Sequence, residues 1–419
     1  MECMVHQSTS EYIPRRAHHR VLEALADTRV VLVNGARQSG KSTLVRRVGR
    51  ETGAEWFTLD DAASLHLAQT DPSAFVSLSE RMIIDEIQRD PNLLLAIKSL
   101  VDDKPTPGRF LLTGSARVLG LRNLPDTLVG RMETIELWPL SQGEIDGTAD
   151  SFVDKAFSLG AGVKHDSAVT RDEYIERIAR GGFPAVFARP EKRRADYYNN
   201  YVSDIINRDV VQLNEIAKSR EMHDLVRILA GRSGQLVVPA TIGSQIGLSA
   251  ATTKRYLSLL EEVFLVKRIP AYTRRVSSRA TRQEKIAFVD SGIATAQLDQ
   301  TVARLRKPGA PLGGLLEGFV AMEIARQLTW SETRADMFHY RTKDKVEVDI
   351  VLENRRGEVI GIEVKASATP TDADFKGLRH LAERVGPDFV AGYLFYTGSR
   401  TLPFGNTMSA IPISAIWQN

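Results

Sequence analysis

Cysteine is almost missing from this chain: 419 residues include one, Cys3. A lone thiol excludes an intramolecular disulfide and any zinc site assembled from cysteines, and it suits a reducing compartment such as the cytoplasm. Long apolar runs are missing too. The opening "MECMVHQSTSEYIPRRAHHR" lacks the apolar core of a signal peptide, and no stretch approaches the roughly 18–20 apolar residues of a spanning helix, so no membrane partner is expected. Nor is there an excess of one charge. The 55 basic and 52 acidic residues leave a formal net charge of +3, too small to announce nucleic acid by itself, so local clusters must carry that argument. The eight histidines show no HExxH or paired metal spacing, and Ser115 in "TGSA" is not a G-x-S-x-G elbow. Zinc-hydrolase and serine-hydrolase chemistry therefore lack support.

What is present reads as two to four globular domains, with hydrophobic residues at 43% and charged residues at 26%. From "RVVLVNG" through "WFTLDD", "RMIIDE", "RFLLTGS" and "METIELWPL", strand-like runs alternate with amphipathic segments. That pattern predicts a three-layer α/β domain built on a parallel sheet. Residues 141–222 turn helical, residues 223–300 give helices and then the strands "FLVKRIPAY" and "KIAFVD", and residues 301–419 form a second α/β unit. The first domain spans 1–140.

"GARQSGKS" follows a strand, opens a helix, and matches the phosphate loop G-x-x-x-x-G-K-[ST]. Backbone amides of Gly35, Ala36, Arg37, Gln38, Ser39 and Gly40, with Thr43 just beyond, are expected to wrap the phosphates of ATP at a helix N-terminus. Lys41 is expected to reach the β and γ phosphates and Ser42 to hold Mg2+. "RMIIDEIQR" ends an apolar strand in Asp85 and Glu86. Asp85 would support the magnesium through a water, and Glu86 would polarise the attacking water. Thr113, ending the strand "RFLLTGS", could sense the γ-phosphate, and Arg131 in "LVGRM" is a candidate arginine finger for a neighbouring subunit, or else a solvated arginine.

In the middle, "VPATIGSQIGLSAATTKRYLSLLEEVFLVKRIPAY" has the rhythm of a helix-turn-helix, with Pro239 starting a helix, Gly247 ending it and Ser249 capping the next. Thr253 and Lys254 near the start of that second helix are expected to meet DNA. The segment Arg268 to Lys285 holds six basic residues against one acidic residue, and Arg274, Arg275, Arg279 and Arg282 make it a possible phosphate grip. A packing or protein-interaction role is the alternative for this module.

Near the end, "EVDIVLE" and "VIGIEVK" read as a hairpin that sets Asp349 beside Glu363 and Lys365. Two carboxylates can hold one or two metal ions and a lysine can activate a water. The pattern resembles the PD-(D/E)xK nuclease centre, and Glu317 on the preceding helix matches an additional acid of that fold.

"NGARQSGKST", "IIDEIQR", "LLTGSA", "LVGRM", "WPLSQGE", "RGGFPA" and "NRDVVQL", in this order, resemble the prokaryotic AAA-type ATPases that carry a C-terminal domain of unknown function. The likeness extends through "KIAFVDSGIA" and "LLEGFVAMEI". It implies an AAA+ core with a helical lid, a winged helix, and a restriction-endonuclease-like end, in a homo-oligomer whose ATP sites are completed between subunits. No Sensor 2 arginine stands out in the lid, where Arg177 and Arg180 are both candidates. The expected function is Mg2+-dependent ATP hydrolysis coupled to DNA binding, with the last domain a candidate for DNA cleavage. The alternative is a nucleotide-controlled switch or scaffold that binds a protein partner and keeps the nuclease-like domain silent.

Overall fold

The computed structural model describes residues 12–115, 128–210, 219–274, 279 and 282–419. Strands β1 (Val30–Asn34), β2 (Glu55–Thr58), β3 (Met82–Asp85), β4 (Phe110–Gly114) and β5 (Met132–Glu136) pair in parallel in the order β2-β3-β4-β1-β5. Strand side chains alternate between faces, and both faces are covered. Val30 and Leu32 join Ile84, Phe110 and Leu112 on one side, while Val31 and Val33 join Ile83, Leu111 and Leu44 on the other. Each such side chain removed from water contributes about 1.5–3 kcal/mol, which is why the strands read as near-continuous apolar runs. The result is an α/β domain built on a five-stranded parallel sheet. Because β4 lies between β1 and β3, the ends that carry Asn34, Asp85 and Thr113 converge.

The middle of the chain runs helix Ser219–Ala230, β6 (Leu236–Val237), helix Pro239–Gln245, helix Ala250–Glu262, β7 (Val266–Ile269) and β8 (Glu284–Phe288). The three strands pair antiparallel as β6-β8-β7. The local signals act as the sequence suggests: Pro239 opens its helix, Gly247 adopts φ +70°, and the Ser249 side chain accepts from the Thr252 amide.

The last third begins with helix Leu312–Trp330, followed by β9 (Ala335–Arg341), β10 (Glu347–Asn354), β11 (Val359–Lys365), helix Lys376–Val385, β12 (Phe389–Tyr396), β13 (Leu402–Pro403) and β14 (Met408–Pro412). The sheet order is β13-β14-β12-β11-β10-β9, antiparallel across β9, β10 and β11 and parallel from β11 through β12 to β14. A bulge between Val348 and Val351 interrupts the β9–β10 register. It lies at Asp349, in keeping with the habit of bulges to re-aim a side chain.

Helices of the 141–222 segment pack in two directions. Phe152 meets Tyr393 and Phe395 of β12 edge-on, whereas helices Arg171–Arg180 and Glu191–Asp204 pack on helix Ser291–Gln297. One apolar core consequently runs from Ala36 and Trp138 to Trp417. A buried polar network stitches the same regions together. Asp290 accepts from the amides of Gly182 (2.6 Å) and Gly292 (2.8 Å), and Gly181, at φ +73°, leaves no room for a Cβ against that carboxylate. Arg326 donates to the carbonyls of Pro139 and Val289, both at 2.9 Å, and to Glu323 at 2.6 Å. "WPLSQGE", "RGGFPA" and "KIAFVDSGIA" are thus parts of one joint. Among the described residues no helix is long and apolar enough to cross a membrane.

Candidate functional site

Gly35 leaves β1 so close to the chain after β5 that a Cβ would lie 2.1 Å from the Leu137 carbonyl oxygen, and Gly40 takes φ +97° to start helix Lys41–Thr52. Only glycine accommodates both demands. Between them, Ala36 and Ser39 are buried, and Gln38 adopts φ +59°. Lys41 is itself buried and donates to the carbonyls of Gly35 (3.0 Å) and Ala36 (2.9 Å), so its ammonium lies folded against the loop.

Ser42 donates to Asp85, 3.1 Å from each carboxylate oxygen, and Thr113 also donates to Asp85. Burial raises the Asp85 carboxyl above its ordinary value, against the opposing hydrogen bonds of Thr113 and Ser42. A hydroxyl and a carboxylate facing one another at the mouth of a phosphate loop suit a hard divalent cation. Glu86 sits in the left-handed region at φ +61°, which costs an L residue about 1–2 kcal/mol. Its amide is anchored on the Thr113 hydroxyl at 3.0 Å. The Glu86 carboxylate accepts from Gln88 and, at 3.2 Å, from Ser115. Thr113 therefore braces both acids from between the two motif strands.

Three contributors to this site carried no signal in the sequence. Arg15, only 8% exposed, donates to the Ser39 and Trp138 carbonyls, each at 2.7 Å, and to Glu144 at 3.1 Å. Tyr197 donates to the Gln38 side chain at 2.7 Å and Tyr201 to the Arg37 carbonyl at 3.3 Å. Their spacing alone reads as core, and Tyr198 and Tyr201 are indeed buried, yet the same helix touches the phosphate loop. A cavity of about 260 Å³ opens between Arg37, Gln38, Arg189, Tyr197, Tyr201 and Arg208. Arg177 and Arg180 both donate to Gln142.

Arg131 precedes β5 and so lies at the end of the sheet opposite the phosphate loop, chelated by Asp102. The residues proposed for DNA contact separate. Thr253 is fully buried and donates to the Ser249 carbonyl at 2.9 Å, so it cannot reach a groove and that expectation is corrected. Lys254 and Arg282 are exposed. Arg274 binds Asp388 at 2.9 Å, and Arg279, its side chain 15% exposed, pairs with Glu353 at 2.8 Å over the rings of Phe338 and Tyr272. These two arginines fasten the middle of the chain to its last third. Arg275 lies outside the described residues.

The second constellation assembles on β8, β10, β11 and helix Leu312–Trp330. Ile350 faces Ile362 across β10 and β11, which sets Asp349 opposite Glu363. Lys365 donates to Glu363 at 2.8 Å, and the Val364 amide donates to Asp349 at 3.0 Å. An unexpected member joins them: Lys285 of β8 donates to Asp349 at 2.8 Å and stands 3.9 Å from Glu317. Burial, then Asp349, pushes both Glu317 and Glu363 well above the usual carboxylate range. Burial alone would lower Lys285, but Asp349 and Glu317 outweigh it and hold its ammonium charged. Among the described residues, no group of three or more acidic, histidine or cysteine side chains is arranged to hold a metal ion.

The parallel sheet and its phosphate loop define a P-loop α/β protein. Residues 27–146 match the family model of an AAA domain, so the first third of the chain is similar to AAA-type ATPases. Residues 171–304 and 312–416 match two domains of unknown function, DUF8612 and DUF4143. An uncharacterised protein of Mycobacterium tuberculosis is 28% identical over 408 residues, covering 96% of this chain and 84% of its own length. An uncharacterised protein of Haemophilus influenzae is 23% identical, covering 91% of this chain and 93% of that protein. Of solved structures, a Walker-type ATPase of Pyrococcus abyssi aligns at 12% identity and TM-score 0.43, over 68% of this chain and 96% of its own.

Proposed function

We propose that this protein hydrolyses ATP at the Lys41–Asp85–Glu86 centre and uses the nucleotide state to reposition the helical layer that carries Tyr197 and Tyr201. The observation that supports this most is the convergence of Ser42, Asp85, Thr113 and Glu86 beneath the phosphate loop. Ser42 and Asp85 would hold magnesium, which supplies charge neutralisation on the terminal phosphates. Lys41 exchanges its loop carbonyls for phosphate oxygens. Glu86 leaves Gln88 and Ser115 to orient a water and accept its proton, while the water oxygen bonds to the γ-phosphorus and the bond to the β-phosphate oxygen breaks. ADP and phosphate result. Gln38 and Arg37 touch the two tyrosines and would lie next to the leaving charge, so a change at the phosphates would reach helix Glu191–Asp204 directly. In a homo-oligomer, Arg131 would have to leave Asp102 to serve a neighbouring subunit. Phosphate release by the natural protein and by Lys41→Ala tests the reading. Loss of about a hundredfold or more is expected, and an unchanged rate would remove the phosphate-loop assignment.

Nucleic-acid contact is a second reading, favoured by the exposed Lys254 and Arg255 on the second turn of helix Ala250–Glu262 and by exposed Arg282. The order helix, strand, helix, helix, strand, strand supports a winged helix whose recognition end would carry these cations. Replacing Lys254 and Arg255 with Ala should weaken DNA binding and flatten its salt dependence. Equal binding by the variant would return this module to a role in packing or protein contact.

A further inference from the structure

The C-terminal cluster would need a divalent cation for phosphodiester cleavage by Asp349, Glu363 and Lys365, and its geometry does not fit one. We infer that Lys285 is the resident cation of this cluster, filling the position between Asp349 and Glu317 and turning the centre into a charged joint between β8 and the last sheet.

Four observations carry this. The Lys285 side chain is 5% exposed and Asp349 is 11% exposed, so the pair is shielded from solvent. Both Asp349 oxygens are engaged, one by the Lys285 ammonium and the other by the Val364 amide. One Glu363 oxygen takes Lys365, and the remaining Glu363 oxygen is buried without a hydrogen-bond partner. A magnesium ion requires oxygens at about 2.0–2.1 Å and several waters. An ammonium 2.8 Å from Asp349 and 3.9 Å from Glu317 takes up that space and repels a second cation. Finally, the contact is built into the fold. Lys285 is paired with Leu236 and Ile269 in the middle of the β6-β8-β7 sheet, and Gly234, at φ +77°, lets that module close over Glu317, where a Cβ would lie 2.7 Å from the Glu317 Cβ.

Manganese binding to the full chain without nucleotide, followed through the paramagnetic resonance of free Mn2+, tests the inference independently of ATP hydrolysis. The natural protein and Asp349→Asn should bind the same amount. Lys285→Met, shown by circular dichroism to be folded, should gain one Mn2+ site that the added change Asp349→Asn removes. A natural protein that loses an equivalent of Mn2+ on Asp349→Asn overturns the inference, as does a folded Lys285→Met that gains none. Should Lys285→Met fail to fold, the first comparison decides alone.

Discussion

Two centres in this molecule bring lysine and carboxylates together, and they differ in what satisfies the lysine. Lys41 rests on two neutral backbone carbonyls of its own loop, while Lys285 is bound to the Asp349 carboxylate across 64 positions of chain. A carbonyl gives up an ammonium readily to a polyphosphate. Removing the ammonium from a buried carboxylate exposes an uncompensated charge, which is strongly unfavourable. The first arrangement is therefore poised to receive a ligand, and the second is closed on itself. The same residue types do opposite work because their partners differ in charge and in where the fold brings them from.

The comparison is broken most forcefully at Glu86. Replacing it by Gln should leave nucleotide binding intact and reduce phosphate release by about a hundredfold or more. Equal turnover in the variant would mean that another group orients the water. At the second centre, Lys285→Met should destabilise the protein by about 3–5 kcal/mol, and Lys285→Met with Asp349→Leu should recover most of that loss. Denaturant unfolding of both single variants and the double variant measures the coupling. Additive losses would show that the ion pair is incidental.

A smaller effect sharpens the contrast through pH. Burial raises the Glu317 carboxyl from 4.5 to about 8. The folded chain thus holds this proton to higher pH than the unfolded chain does, so the Glu317 contribution to stability falls as pH rises from about 4.5 to about 8. Glu317→Gln should flatten the decline in Tm across that window by on the order of a few °C. Glu363, raised to about 7, retains part of the slope in the variant. Parallel Tm profiles for the two proteins would place Glu317 in a more solvated setting than the fold indicates.

The phosphate loop was legible because its chemistry is local. Gly35, Gly40, Lys41 and Ser42 lie within eight positions, and backbone geometry dictates the glycines. The β10–β11 hairpin was legible for a similar reason, since a period of two sets Glu363 and Lys365 on one face. Asp349 needed the bulge to join them fully, a feature of pairing with β9 that no short pattern announces. The basic run from Arg268 to Lys285 is divided by the fold. Charge composition does not say which cations find carboxylates, and Arg274, Arg279 and Lys285 find Asp388, Glu353 and Asp349.

The amino-acid sequence by itself determined the AAA-type parallel sheet, the phosphate loop and the acids that follow β3, because strand period, helix caps and glycine backbone freedom act over a few residues. Only the tertiary structure decided that Arg15, Tyr197 and Tyr201 brace the loop, that three segments join through Asp290 and Arg326, and that Lys285 closes the C-terminal cluster. Those outcomes rest on burial and on ion pairs between distant residues, whose free energy exists only after the chain has brought them out of water.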